Sequence, residues 1–230
     1  MTTKNFSMSE AVRFGWDTMK SNIGFFIGLL IVAGLINTVP DVIAETLVED
    51  APFLAIIIWI ASFVLSMIIG MGLIKISLRF CDGEKGEFSD LFSCYPLFIN
   101  YLVGSILYGL IVMVGLILLI IPGIIWAIQF CFYDYLIVDR GFGPVDALKK
   151  SSEITKGVKL DLFVFGMLLG IINLLGFICL VVGLFVTIPT TMVAMAFVYR
   201  KLLAQTELIE IPETSQENYM NGDQRFSNSV

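Results

Sequence analysis

Asp134, Gln129, Tyr133 and Asn173 are polar side chains that fall inside otherwise apolar runs of this sequence. In a hydrocarbon layer such groups are costly, and they mark ion pairs, proton relays or substrate paths. Gln129 and Tyr133 stand at i, i+4 and share a helical face. Counting back from the polar boundary at Asp139, Asp134 lies roughly 7 Å inside the apolar run at 1.5 Å per residue. Lys75 and Arg79 close another apolar run at the same depth, also at i, i+4. Asp134 is therefore expected to pair with Arg79, or failing that Lys75, tying two helical hairpins together. The rival reading has Asp134 touch a substrate or a lipid headgroup. With the middle of the apolar layer otherwise nearly bare of charge, the reading taken is that these groups fix helix orientation.

Other chemistry is poorly supplied. The chain has no histidine, the usual near-neutral base and metal ligand. Its four cysteines, Cys81, Cys94, Cys131 and Cys179, show no C-x-x-C spacing and support neither a zinc site nor a disulfide framework. No nucleophile and base can be paired. The expectation is a protein that is not an enzyme and carries no cofactor or metal.

The elements that position these residues follow from composition. The 230 residues are 57% hydrophobic and 15% charged, with a mean hydropathy of +0.90, far from the roughly 25% charged of soluble domains. A span needs about 20 apolar residues, and six runs qualify: 23–39, 52–74, 97–121, 122–138, 160–179 and 180–199. The fold class read is all-α, a six-helix transmembrane bundle of three hairpins over residues 1–203. An acidic polar tail, 204–230, with Glu207, Glu210, Glu213, Glu217 and Asp223, is expected to be disordered. The first run follows a charged lead and has no small-residue cleavage site, so it is expected to stay as an anchor. A net charge of −6 and a pI near 4.6 argue against nucleic acid as a partner.

Three segments carry an amphipathic pattern. In residues 7–20, Met8, Ala11, Val12, Gly15, Trp16 and Met19 oppose Glu10, Arg13, Asp17 and Lys20. Glu10–Arg13 and Arg13–Asp17 pairs would support that helix, and Trp16 suits a lipid interface. Phe88, Leu91, Phe92 and Tyr95 give a second apolar face. In the third segment, Val145, Leu148 and Ile154 or Thr155 oppose Asp146, Lys149, Lys150, Glu153 and Lys156, with Pro144 at the first turn. Glu10-Ala11-Val12-Arg13 matches Asp146-Ala147-Leu148-Lys149 in type, and the chain reads as a threefold repeat of surface helix plus hairpin. All fourteen Lys and Arg residues fall in the termini or in the loops after spans two and four. The positive-inside rule then puts both termini and all three amphipathic segments in the cytoplasm.

Small residues one turn apart recur in the odd-numbered spans: Gly24 with Gly28, Ser105 with Gly109, Gly166 with Gly170. Such pairs let helix backbones approach, and packing inside the bundle is expected of them. Pro122-Gly123 reads as the outer turn between spans three and four. Pro189 reads as a kink relieved by Thr187, Thr190 or Thr191.

The run IIPGIIWAIQFCFYDYLIVDRGFGPVDALKKSSEITKG, followed by an apolar hairpin ending in Ile188-Pro189-Thr190 and Tyr199-Arg200-Lys201, resembles a family of bacterial polytopic membrane proteins of unknown function. These are similar to the membrane domain found ahead of some glycerophosphodiester phosphodiesterases. The likeness covers roughly 97–202 well and the N-terminal third loosely. It implies a bacterial inner-membrane location and a six-span fold, and supplies no catalytic residue. The function expected is a non-catalytic scaffold or envelope-maintenance protein. Its expected partners are membrane lipids and a protein bound through the cytoplasmic amphipathic helices. The alternative is a small-solute or lipid transporter with a path along spans four to six.

Overall fold

The computed structural model describes residues 4–179 and 183–210, whose regular elements are all helices, with no strand among them. In chain order the helices are α1 (Met8–Ser21), α2 (Ile23–Leu47), α3 (Pro52–Cys81), the short α4 (Asp90–Ser93), α5 (Phe98–Leu118), α6 (Ile120–Gln129), α7 (Tyr133–Arg140), α8 (Pro144–Ile154), α9 (Lys159–Ile178) and α10 (Leu184–Glu210). By length and composition, five stretches among the described residues can cross a membrane: α2, α3, α4 with α5 (Asp90–Leu118), α6 with α7 (Ile120–Arg140), and α9. Their outward faces carry Ile57, Ile106, Ile117, Met167 and Leu174, all exposed, as suits elements whose surroundings are lipid tails.

The sixth expected span, 180–199, begins on residues outside the described ones, and its described part, α10, is not among those five. Thr187, Pro189, Thr190, Thr191 and the Arg200-Lys201 pair dilute it. Instead α10 is the central post of the bundle: Val193, Ala194, Ala196, Val198, Tyr199 and Leu202 are fully buried. Two of the three threonines near Pro189 bond carbonyls of their own helix, neither of them the Phe185 carbonyl that the missing Pro189 N–H leaves free. Thr190 donates to the Val186 carbonyl at 2.7 Å and Thr191 to that of Ile188 at 3.0 Å. The Thr187 hydroxyl has no partner among the described residues. Helix α10 also continues to Glu210, so the first residues of the expected tail are helical; 211–230 lie outside the description.

Helix α1 is more than a lipid-lying surface helix. Its N-cap is Ser7, which accepts from the Glu10 N–H at 3.3 Å. It buries Ala11, Gly15 and Met19 along α10, where a Cβ on Gly15 would strike the Thr190 carbonyl and Ala194. Phe14 stacks on Phe197 with centroids 4.8 Å apart. Glu10 does not pair with Arg13 as expected; it reaches Lys201 at 2.6 Å. Arg13 and Asp17 do approach, at 3.7 Å.

The α2–α3 hairpin is longer than the apolar runs suggest, because Pro40 sits inside α2 and Asp41 and Glu45 are helical. Asp41 accepts a hydrogen bond from Ser62 on α3 at 2.6 Å, which gives a polar side chain a partner between the two helices. The second amphipathic segment forms no shared apolar face. Leu91 is fully buried, whereas Phe88, Phe92 and Tyr95 are exposed. The reason is Gly72, whose missing side chain admits the Leu91 backbone against α3.

The α5–α6 turn falls at Leu119, the extended residue between the two helices. The expected turn residues, Pro122 and Gly123, lie within α6, where Gly123 packs on Gly115. Five of the six residues expected to bring helices together do not do so by contact at a missing side chain. A Cβ at Gly24, Gly109, Gly166 or Gly170 would meet nothing within 4 Å, and at Gly28 it would meet only the Phe88 ring, at 3.3 Å. Those four open glycines are exposed and face the surroundings. Ser105, the sixth, hydrogen-bonds the Tyr101 carbonyl at 2.8 Å and lies 3.1 Å from the Tyr133 hydroxyl. Close approach depends on Gly15, Gly72, Gly104, Gly115 and Gly176 instead.

Candidate functional site

The fourth span is broken. Helix α6 ends at Gln129 and α7 begins at Tyr133, with Phe130 and Phe132 in non-helical conformations. A break at membrane depth frees backbone groups that lipid cannot bond, so it survives only where protein or a polar cavity satisfies them. Here protein does. The Ala127 carbonyl accepts from the Tyr108 hydroxyl at 3.3 Å. The Gln129 carbonyl accepts from Ser151 at 3.1 Å and Thr155 at 3.0 Å. The Phe132 N–H donates to Ser151 at 3.1 Å, so one hydroxyl serves both sides of the break. The Gln129 side chain is held as well: its amide donates to Ser152 at 2.8 Å and its carbonyl oxygen accepts from Lys159 at 2.6 Å.

Helix α8 supplies most of this clamp, which explains its composition. Pro144 starts it, as its missing N–H predicts. Ala147, Leu148, Ser151 and Ile154 form the buried face, followed by buried Thr155, while Val145, expected on that face, is exposed. Two hydroxyl residues on a buried face are costly unless bonded, and the broken span is what they bond. That interruption of an apolar face by Ser151 and Thr155 is the sequence signal that could have located the clamp.

Facing the break from α5, Tyr101, Ser105 and Tyr108 line up at helical spacing. Tyr108 stacks on Tyr133 with centroids 4.9 Å apart, and Tyr101 lies 6.5 Å from the same ring. Gly104 makes the approach possible, since a Cβ there would meet Ile137 at 2.9 Å.

Asp134 lies at this break, half-buried, and its carboxylate accepts the Tyr135 N–H at 2.8 Å. The expected pair with Arg79 is not formed. Arg79 gives both oxygens of Asp90 hydrogen bonds, at 2.8 and 2.7 Å, and Glu84 another at 3.1 Å. Asp90 opens α4, the next element after α3, so a nearer and better-oriented carboxylate takes the guanidinium. Lys75 makes no hydrogen bond or ion pair among the described residues. Asn173 bonds Thr191 at 3.2 Å, joining α9 to α10, and takes no part in the break.

A second polar assembly closes the charged end of the bundle. Asp139, its side chain 8% exposed, accepts from Arg200 at 2.6 Å, Tyr199 at 3.0 Å and Arg140 at 3.2 Å. Arg200 also reaches Asp82 at the end of α3, at 2.6 Å. Arg140 also reaches Glu207 at 2.9 Å. The ends of α3 and α7 are thus joined to α10 through one guanidinium. Sequence reading marked Asp139 only as the polar boundary of the apolar run; Gly141, two residues on, adopts φ 66° as the left-handed cap of α7. The partners of Asp139 come from sixty positions later, where no local pattern points to them.

Among the described residues no three or more His, Cys, Asp or Glu side chains cluster to hold a metal ion, and the four cysteines are free. What the arrangement does chemically is saturate hydrogen-bonding groups across helices.

Residues 94–211 match a family described as a domain of unknown function (DUF7847), and the chain belongs to that family. The matched part contains the broken span, its clamp and the Asp139–Arg200 pair, and leaves out α1 to α4. An uncharacterised protein of Mycobacterium bovis and two of Mycobacterium tuberculosis are similar to this chain. Each is 25% identical over 230 residues, covering 88% of this chain and 70% of the relative. No solved structure matches.

Proposed function

We propose that this member of a family of unknown function is a non-catalytic scaffold or envelope-maintenance protein of a bacterial inner membrane, with both termini and the amphipathic segments α1, α4 and α8 on the cytoplasmic side. The observation that carries the reading is the use of polar groups. At the break in the fourth span, the sort of place where a transporter leaves backbone groups for its cargo, Tyr108, Ser151 and Thr155 bond them internally. At the charged end, Asp139, Arg200 and Asp82 bond one another. Although the Arg200 Nε finds no partner among the described residues, this internal pairing favours a rigid body over a moving path.

Orientation rests on charge. Arg79, Arg140, Arg200 and Lys201 lie near the ends of α3 and α7 and on the emerging part of α10, whereas Asp41, Glu45, Glu49 and Asp50 lie in or beside the α2–α3 hairpin tip. Each amphipathic segment precedes a helical hairpin, which supports the threefold repeat. The resemblance to membrane domains that accompany phosphodiesterases fits an accessory role, and the mycobacterial relatives favour a bacterial membrane. The test is affinity capture of the full chain from membranes under mild detergent, with the captured protein then rebound in purified form. A defined partner that binds through α8 supports the scaffold.

One observation favours a second reading, a small-solute or lipid transporter along spans four to six. Asp134 sits at the broken span with no cation against it among the described residues. Uptake into proteoliposomes, lost on Asp134→Asn, would establish transport in place of the scaffold.

A further inference from the structure

We propose that the groove between α1, α9 and α10 is a binding site for one glycerophospholipid, with an acyl chain along the groove and the phosphate on Arg13. The groove encloses about 720 Å³, within the roughly 300–1,000 Å³ of ligand sites. Its walls are Val12 and Trp16 from α1, Leu168 and Ile172 from α9, and Thr190 from α10. Arg13 stands at its rim.

Depth follows from the neighbouring contacts. Cys81, the last residue of α3, lies 3.8 Å from the Val193 carbonyl, and the next residue, Asp82, pairs with Arg200. The charged boundary of the bundle therefore falls near Val193 to Arg200. Thr190 and Thr187, which also lines the groove, lie about 5 and 9 Å below Val193 at 1.5 Å per residue. A chain in this groove thus starts at headgroup level and runs into the apolar layer.

The rim has the chemistry of a phosphate site. The Arg13 side chain is 84% exposed and approaches the Asp17 carboxylate, through Nε at 3.7 Å. Its terminal nitrogens remain available, and the planar fork of a guanidinium matches two phosphate oxygens. Trp16, 47% exposed, presents an indole that favours the interface. Charge complementarity separates this groove from the one along α5. That second groove, lined by Tyr108, Val112, Met113 and Leu116, has no charged side chain in its wall, so it serves as an internal control for lipid that merely surrounds the protein.

The test uses the full chain in phosphatidylcholine nanodiscs doped with phosphatidylglycerol carrying a photoactivatable diazirine on an acyl chain, with labelled residues mapped by mass spectrometry. Labelling is expected to concentrate on Leu168 and Ile172, about tenfold above the α5 groove, the difference a charge-assisted hydrogen bond makes. Arg13→Gln should remove most of that excess, and Arg13→Lys should leave an intermediate level. Ile172→Trp, which fills the groove, should abolish it while labelling along α5 is unchanged. A diacylglycerol with the same labelled chain and no phosphate should show no excess. Equal labelling of both grooves, equal labelling by the diacylglycerol, or indifference to Arg13→Gln overturns the assignment. If Arg13→Gln does not fold, Arg13→Lys and the diacylglycerol comparison decide.

Discussion

Arg200 and Asp139 meet at 2.6 Å across 61 positions of sequence, and the same guanidinium reaches Asp82 at 2.6 Å. Removing the shared cation takes a partner from both carboxylates at once, leaving Asp139 only Tyr199 and Arg140, whereas removing one carboxylate leaves the arginine its other partner. Arg200→Gln should therefore destabilise more than Asp139→Asn, and Asp139→Asn more than Asp82→Asn. Asp139 is nearly enclosed while Asp82 is about half exposed, so the Asp139→Asn cost should be roughly 1–3 kcal/mol, the usual range for a charged hydrogen bond. Thermal unfolding of the three variants in one detergent checks the order; equal melting temperatures would reject it.

Ser151 both donates to the Gln129 carbonyl and accepts from the Phe132 N–H. Ser151→Ala orphans the N–H, while the carbonyl keeps Thr155. Thr155→Val removes only one of two donors to that carbonyl. The expected costs are about 1–3 kcal/mol for the serine and under about 1 kcal/mol for the threonine. Hydrogen exchange should show the difference locally, with faster exchange at 130–133 in Ser151→Ala alone.

A fold of apolar helices around amphipathic segments was legible because lipid imposes length and hydropathy on each span. The contacts were not. Gly166 and Gly170 have the spacing of a packing pair, yet spacing says nothing about which way a helix face points, and both face outward. The broken span was hidden because α6 and α7 form one continuous apolar run; the hydroxyls that stabilise the break come from α5, from α8 and from the Thr155 cap of α8, each nineteen or more positions away. Asp134 and Arg79 lie at matching depth, but depth fixes one coordinate, and Asp90 was closer in the other two.

That correction gives a prediction. Gly15→Leu and Gly72→Ala should destabilise the bundle, since the added atoms would strike the Thr190 carbonyl and the Leu91 backbone, which cannot swing aside. Gly166→Leu should be close to neutral or stabilising, because glycine is poorer than leucine inside a helix by about 0.8 kcal/mol. Melting of the three variants in detergent decides; a destabilised Gly166→Leu would mean that its face is buried in a larger assembly.

The charge distribution predicts sides. In a background without native cysteines, Glu45→Cys and Lys149→Cys should react with a membrane-impermeant maleimide from opposite sides of the membrane. Glu45 lies near the tip of the α2–α3 hairpin and Lys149 on the exposed face of α8. Reaction of both in intact cells would reject the orientation.

Asp134 separates a structural carboxylate from a working one. Its hydrogen bond, from the Tyr135 N–H, needs only an oxygen, and asparagine supplies one. With no cation against it, the charge contributes no ion pair that the substitution could remove, and a charge within an apolar span is itself costly. Asp134→Asn should therefore leave the melting temperature unchanged or raise it, whereas Arg79→Gln should lower it by stranding the buried Asp90. The double variant should be additive, because the two side chains share no partner. Non-additivity would mean that Asp134 and Arg79 meet in the membrane after all. If Asp134→Asn is stable and additive yet fails to complement a deletion of the gene, the carboxylate acts on something other than the fold.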